Sequence, residues 1–197
     1  MTFEGIDRSG KTSQARMLVE ALGSDAVGVR EPGGTAVGER VRELLKDPDA
    51  AIGARSEALL FAAARAELVA QVIRPALDDG RVVVSDRYVD SSLAYQGAAR
   101  GLGVEDVARV NEWATGGLMP DLTILLELDP DAARLRAGEG DRFEDEGAAL
   151  QRAVAEAYDR LAAADPGRWR RVDASRPPAE VHADVMKLVE AARAAAV

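Results

Sequence analysis

The run Gly5-Ile6-Asp7-Arg8-Ser9-Gly10-Lys11-Thr12 fits G-x-x-x-x-G-K-[ST], the spacing of a loop that wraps the phosphates of a nucleoside triphosphate. Gly5 and Gly10 carry no Cβ, so the backbone can turn tightly and approach phosphate oxygens. Successive N–H groups then point inward, and a helix opening near Gly10 adds the positive end of its dipole. Lys11 supplies a point charge for the β- and γ-phosphates, and the Thr12 hydroxyl suits Mg²⁺ ligation. Context supports the motif. Thr2-Phe3-Glu4 reads as a strand end, and residues 13–22 place Met17, Leu18 and Leu22 on one helical face.

Further residues with chemistry follow. Arg81-Val82-Val83-Val84-Ser85-Asp86 is a continuous apolar run ending in a carboxylate, the signature of a strand buried on both faces of a parallel sheet. Ligands bind at the carboxyl ends of such strands, so Asp86-Arg87-Tyr88 falls where chemistry is expected. The next stretch, Val89 to Gly97, reads as a short helix dense in hydrogen-bonding groups, with Ser92 and Gln96 four apart and Tyr95 beside them; a solvated helix face is the alternative. Phe61 and Arg65 are also four apart and point into one space, although Phe61 taken alone reads as core. Residues 137–145 are glycine-rich and charged and include Arg142, which reads as a flap or a solvated loop.

These residues need a scaffold. At 197 residues the chain suits one domain, 1–197, with a core large enough to need no staples. Strand 26–30 leads to a turn at Glu31-Pro32-Gly33-Gly34, and Thr35 caps a helix through Lys46 with Val37, Val41, Leu44 and Leu45 as its inner face. Ser56 reads as the cap of a helix from Glu57 to Asp79, bent by Pro75 and closed by Gly80. Helix 104–115 carries Val107, Val110 and Trp113; strand 121–128 leads into a helix beginning at Asp129-Pro130 with Arg134 and Arg136; helix 147–163, strand 168–173 and a closing helix from Pro177 to Ala196 complete the chain. Strands alternate with helices, so the expected fold is α/β, a doubly wound five-stranded parallel sheet with helices on both faces. The first strand is unusually short, since four residues precede Gly5; either the innermost strand is short or the chain starts late.

Composition narrows the chemistry. There is no Cys and His182 is the only His, which excludes thiolate or His-based zinc sites and Ser-His-Asp hydrolysis. A net charge of −9 argues against nonspecific nucleic-acid binding. Positive charge must therefore be gathered locally. Lys occurs only at 11, 46 and 187, so Arg supplies most of it, as suits two-pronged phosphate contacts. No apolar run approaches the ~20 residues of a membrane span, and without a basic-then-apolar leader a cytoplasmic enzyme is expected.

In this order the motifs resemble those of the thymidylate kinase family, over essentially the whole chain. The likeness rests on Phe3 to Thr12, on Arg30-Glu31-Pro32-Gly33-Gly34-Thr35, on Phe61-x-x-x-Arg65, and on Asp86-Arg87-Tyr88 leading to Tyr95-Gln96-Gly97. The resemblance implies phosphoryl transfer from ATP to dTMP, with Mg²⁺, in a homodimer built on helix faces such as 57–79 and 104–115. It implies that Phe61 stacks on thymine, Arg65 meets its O4 edge, and Ser92 and Gln96 complete the reading of the base. Tyr95 would lie under the deoxyribose, and Asp7 would address the 3′-hydroxyl or metal-bound water. Glu31 joins the substrate-binding set, Arg42 and Arg87 hold the dTMP phosphate, and Asp86 orders the Mg²⁺ shell with Thr12. Family members keep an extra catalytic Arg either in the phosphate loop or in a lid. Arg8 takes that place here, with Arg142 second, in a lid expected at 134–146.

The chemistry of such an acceptor is simple. A phosphate monoester has a second pKa of ~6 and is largely ionised at neutral pH, so no general base is needed, and the task is to bring two polyanions together. Three rivals remain. A deoxynucleoside kinase would need a base, for which Glu31 is available. A GTPase switch lacks its Asn-Lys-x-Asp segment here, and a noncatalytic ATP-binding module would have no use for both Lys11 and Thr12.

Overall fold

The computed structural model describes residues 1–136 and 147–195. Five strands form one all-parallel sheet: β1 (Thr2–Glu4), β2 (Ala26–Arg30), β3 (Val82–Asp86), β4 (Thr123–Glu127) and β5 (Trp169–Asp173), in the order β2-β3-β1-β4-β5. The doubly wound sheet expected from the alternation is therefore present. β1 is central and only three residues long. Its flanks extend it, because the Met1 ammonium donates to Val83 O at 2.9 Å and Ser85 N–H donates to Met1 O at 3.1 Å.

Burial on both faces follows from side-chain alternation. Val84 packs on one side with Phe3, Leu18, Ile124 and Leu126, and neighbouring Val83 packs on the other with Leu68, Ile73, Tyr88 and Val107. The first side is covered by α1 (Lys11–Leu22) and the C-terminal helix, Pro178–Ala195; the second by α3 (Ala54–Leu68) and α6 (Val104–Thr115), with α2 (Ala36–Lys46) packed on α3. Between α3 and α6 come α4 (Arg74–Asp78) and α5 (Val89–Ser92). After β4 come α7 (Pro130–Arg134) and α8 (Ala148–Ala164), and the closing helix is α9. α5 docks on polar groups: Asp90, fully buried, pairs with Arg168 at 2.5 Å, and Thr123 Oγ1 donates to the same carboxylate at 3.3 Å.

Several details differ from the sequence reading. α3 begins at Ala54 behind an extended Gly53, so Ser56 lies inside its first turn instead of capping it. The stretch before Pro75, Val69–Ile73, widens into a π turn, and α-helical geometry resumes at Arg74, as expected where a ring displaces the ladder. In α2, Val37 and Leu44 are exposed, and Gly38 and Leu45 form the inner stripe. The helix lies so close that a Cβ on Gly38 would meet Gly33 O at 2.7 Å. Trp113 is 88% exposed, because α6 turns Asn111 and Thr115 inward beside Val107.

Register places the chemistry. Phe3 and Arg30 both pair with Asp86, so the carboxyl ends of β1, β2 and β3 align, and the loops after them share one rim of the sheet.

Candidate active site

The first loop of that rim is Gly5 to Thr12. Gly5 has φ +142°, and a Cβ there would meet Leu126 O at 2.7 Å and Ser9 Oγ at 2.9 Å, so only glycine fits. α1 starts at Lys11 behind a left-handed Gly10. Lys11 Nζ donates to Ile6 O at 2.6 Å and to Ser9 Oγ at 3.4 Å. Burial and the Arg87 charge push the ammonium down to about 8, while Asp7, Asp86 and Glu4 oppose that shift. Thr12 Oγ1 donates to Asp86 Oδ2 at 2.5 Å. These two oxygen-bearing side chains, one from the first turn of α1 and one from the end of β3, suit a hard cation. Among the described residues no group of three or more Asp, Glu, His or Cys forms a closed metal cage.

Two arginines bear backbone strain. Arg8 has φ 62° and Arg87 has φ 72°, a region that costs a non-glycine residue roughly 1–3 kcal/mol and clusters at functional sites. Arg8 and Arg136 clasp each other: Arg8 Nη1 donates to Arg136 O at 3.0 Å, and Arg136 Nη1 donates to Arg8 O at 3.1 Å. Arg136 also reaches Ala174 O at 2.5 Å, tying the Gly5–Thr12 loop to the end of β5.

Arg87 is the hub of the opposite loop. It pairs with Asp7 and donates to Gly5 O at 3.3 Å, Ser91 Oγ at 3.1 Å and Tyr95 OH at 3.3 Å, and its guanidinium lies 5.1 Å from the centre of the Tyr95 ring. Burial alone would lower its pKa, but Tyr95 and Asp7 outweigh that and hold the charge firmly. Burial likewise pushes the Asp7 carboxyl up, yet Arg87, Lys11 and the Gln151 amide together hold it below its ordinary value. Asp7 is thus a fixed anion between two cations.

Arg65 occupies the deepest part, 1% exposed. Its Nε donates to Glu31 Oε2 at 2.7 Å, Nη1 to Ser92 Oγ at 3.1 Å and to Asn111 Oδ1, and Nη2 to Tyr88 O at 3.0 Å. Burial raises the Glu31 carboxyl, and Arg65 opposes the rise. Among the described residues Glu31 Oε1 has no hydrogen-bond partner. Gln96 donates to Glu57 at 2.9 Å from the π-widened turn Leu93–Ala99.

One cavity of about 240 Å³ gathers these groups. Asp7, Arg8, Lys11, Thr12, Glu31, Arg42, Phe61, Arg65, Asp86, Arg87, Ser92, Tyr95 and Gln96 all line it. Arg42 donates to Pro32 O at 2.9 Å beside it. Gly5 and Ile6 belong to the floor of a neighbouring groove, and Ser9 and Gly10 to the outer side of the loop. Arg142 and most of the expected lid lie outside the described residues; Arg134 ends α7 and Arg136 forms the clasp above. Sequence reasoning missed Glu4, Gln151 and Tyr158. Gln151 and Tyr158 are seven apart on one face of α8, a spacing that put both on the buried side, and Glu4 is a charge inside a central strand.

The chain is similar to known proteins along nearly its whole length. The family model described as thymidylate kinase matches residues 3–185. A thymidylate kinase from Symbiobacterium thermophilum is 48% identical over 96% of this chain and 92% of its own length. One from Halorhodospira halophila is 50% identical over 92% and 88%. The crystal structure of thymidylate kinase from Ehrlichia chaffeensis superposes with a TM-score of 0.81 at 30% identity, covering 95% of this chain and 96% of that one.

Proposed function

This chain belongs to the thymidylate kinase family, and from that premise we propose how its own residues carry out the transfer of the ATP γ-phosphoryl to dTMP, giving dTDP and ADP for dTTP synthesis. The observation that carries the reading is the convergence of Lys11, Arg8, Arg42 and Arg87 on one cavity that Phe61 and Arg65 also line. A phosphate acceptor needs cations; a neutral hydroxyl acceptor would not.

Phe61 stacks on the thymine ring, Arg65 addresses its O4, and Ser92 and Gln96 complete the reading of the base. Glu31 holds Arg65 in place. Tyr95 fills the space beneath the deoxyribose, where bulk disfavours a 2′-hydroxyl, and Asp7 meets the 3′-hydroxyl. Arg42 and Arg87 hold the acceptor phosphate, whose oxygen is already ionised and attacks without a base. The Gly5–Thr12 loop holds the ATP phosphates through its N–H groups and Lys11. Arg8 meets the charge that spreads over the γ-phosphoryl as it transfers. Thr12 and Asp86 would hold Mg²⁺, which would supply neutralisation of the nucleotide's phosphate charge.

A single kinase domain and a cytoplasmic setting complete the reading; among the described residues no helix is long and apolar enough to cross a membrane. In this reading the enzyme is a homodimer built on helix faces within 57–79 and 104–115, and the exposed Leu59 and Trp113 on those faces support it. The acceptor test is a coupled ADP-release assay with dTMP against thymidine. Turnover with dTMP alone is expected; turnover with thymidine alone would replace this reading with the deoxynucleoside kinase.

A further inference from the structure

One buried carboxylate has no part in that scheme. Glu4 ends β1 immediately before the phosphate loop and is fully buried. Its Oε1 accepts the Tyr88 N–H at 2.8 Å, and its Oε2 accepts the Ser91 hydroxyl at 2.6 Å and the Tyr158 hydroxyl at 2.8 Å. The same two hydroxyls lie 2.9 Å apart and both receive Arg87 Nη1, at 3.1 Å and 3.5 Å. A carboxylate and a guanidinium are therefore joined through two bridging hydroxyls. Each hydroxyl has one proton and two lone pairs. When each gives its proton to Glu4, both keep lone pairs turned to Arg87, and that polarity requires Glu4 to be the acceptor.

We propose that Glu4 is a positioning residue that aims Arg87 at the acceptor phosphate, acting through Ser91 and Tyr158 and touching neither substrate. The inference rests on the reading that Arg87 holds that phosphate. A carboxylate accepts from all three donors at once, whereas an amide nitrogen must itself donate: at Oε2 it reverses both hydroxyls so that they no longer turn lone pairs to Arg87, and at Oε1 it meets the Tyr88 N–H donor to donor. The charged and titratable groups facing Glu4 are Asp90 from α5, Arg87 from the loop after β3, Tyr158 from α8 and Lys11 from α1. Burial, with Asp90 adding to it, pushes the Glu4 carboxyl up to about 7 against the opposing pull of Ser91, Arg87 and Tyr158. Because the pKa is raised, the accepting form prevails above about 7 and is lost as pH falls through it, so Arg87 is aimed best on the alkaline side.

The experiment measures kcat and both KM values for wild type, Glu4→Gln, Arg87→Ala and the double variant between pH 6 and 8.5, with Tyr158→Phe as a milder cut in the same bridge. Glu4→Gln should raise the KM for dTMP about tenfold, the scale of one charge-assisted hydrogen bond, and leave the KM for ATP within about twofold. In the Arg87→Ala background the same substitution should add almost nothing. The wild-type advantage over Glu4→Gln in kcat/KM for dTMP should shrink as pH falls, a ratio from which the titration of dTMP itself cancels. Tyr158→Phe should shift the KM for dTMP in the same direction and carries the test if Glu4→Gln does not fold. A full Glu4→Gln loss on top of an impaired Arg87→Ala, equal rises in both KM values, or a ratio flat with pH would overturn the inference alone. Arg87→Ala with a wild-type KM for dTMP would overturn both it and the reading beneath it.

Discussion

Replacing Arg65 by Ala should cost stability as well as substrate affinity, and the stability loss should depend on pH. The guanidinium is 1% exposed and donates to Glu31, Ser92, Asn111 and Tyr88 O. Its removal leaves the Glu31 carboxylate, 6% exposed and with Oε1 already lacking a partner among the described residues, without the Arg65 counterion. Breaking a buried pair in this way costs about 3–5 kcal/mol. At roughly 2–4 °C per kcal/mol for a chain of this size, the melting temperature should fall by roughly 6–20 °C. The sign of the pH dependence follows from Glu31, whose folded pKa is raised above 4.5 by burial and restrained by Arg65. Without Arg65 the rise is larger. Below the unfolded value Glu31 is neutral in both states, and as pH climbs the unfolded chain ionises first, so the deficit grows. Denaturant unfolding followed by circular dichroism at pH 5 and pH 8 should show the larger gap at pH 8. Glu31→Gln with Arg65→Met should recover part of it, since neither charge is then left alone. A variant within about 1 kcal/mol of wild type at both pH values, well below the range for a broken buried pair, would refute the reasoning.

Three further outcomes are expected. Arg8→Ala, Lys11→Ala and Arg87→Ala should each lower turnover by roughly 10²-fold or more, the scale of losing a preorganised charge contact; single-turnover kinetics at saturating ATP and dTMP checks this. Phe61→Ala should raise the KM for dTMP and leave that for ATP almost unchanged, and an equal rise in both would return Phe61 to the core. With the Lys11 ammonium pushed down to about 8, kcat/KM for ATP should fall as pH rises through that value, and Arg87→Gln should move the limb upward by removing a like charge.

Much of the molecule could be read before any coordinates. The glycine spacing of the phosphate loop fixes its own conformation, and the apolar run at Val82–Val84 can only be a doubly buried strand, so the topology and the Asp86-Arg87 position followed. Helix faces were harder. In α2 and α6 the apolar periodicity pointed to Val37, Leu44 and Trp113, but close approach at Gly38 and the need to satisfy Arg65 turned other faces inward. Tertiary hydrogen bonding overrode local pattern there. Glu4 and Tyr158 were invisible for a related reason: their importance lies in a contact spanning 154 positions of sequence, which no local window contains.

The central claim is that Arg87, strained at φ 72° and held by Asp7, Ser91 and Tyr95, faces the acceptor phosphate. A crystal structure with dTMP and a nonhydrolysable ATP analogue tests it directly. The account predicts a guanidinium nitrogen of Arg87 within about 3.2 Å of a dTMP phosphate oxygen. A guanidinium turned to bulk solvent with both nucleotides bound would contradict it.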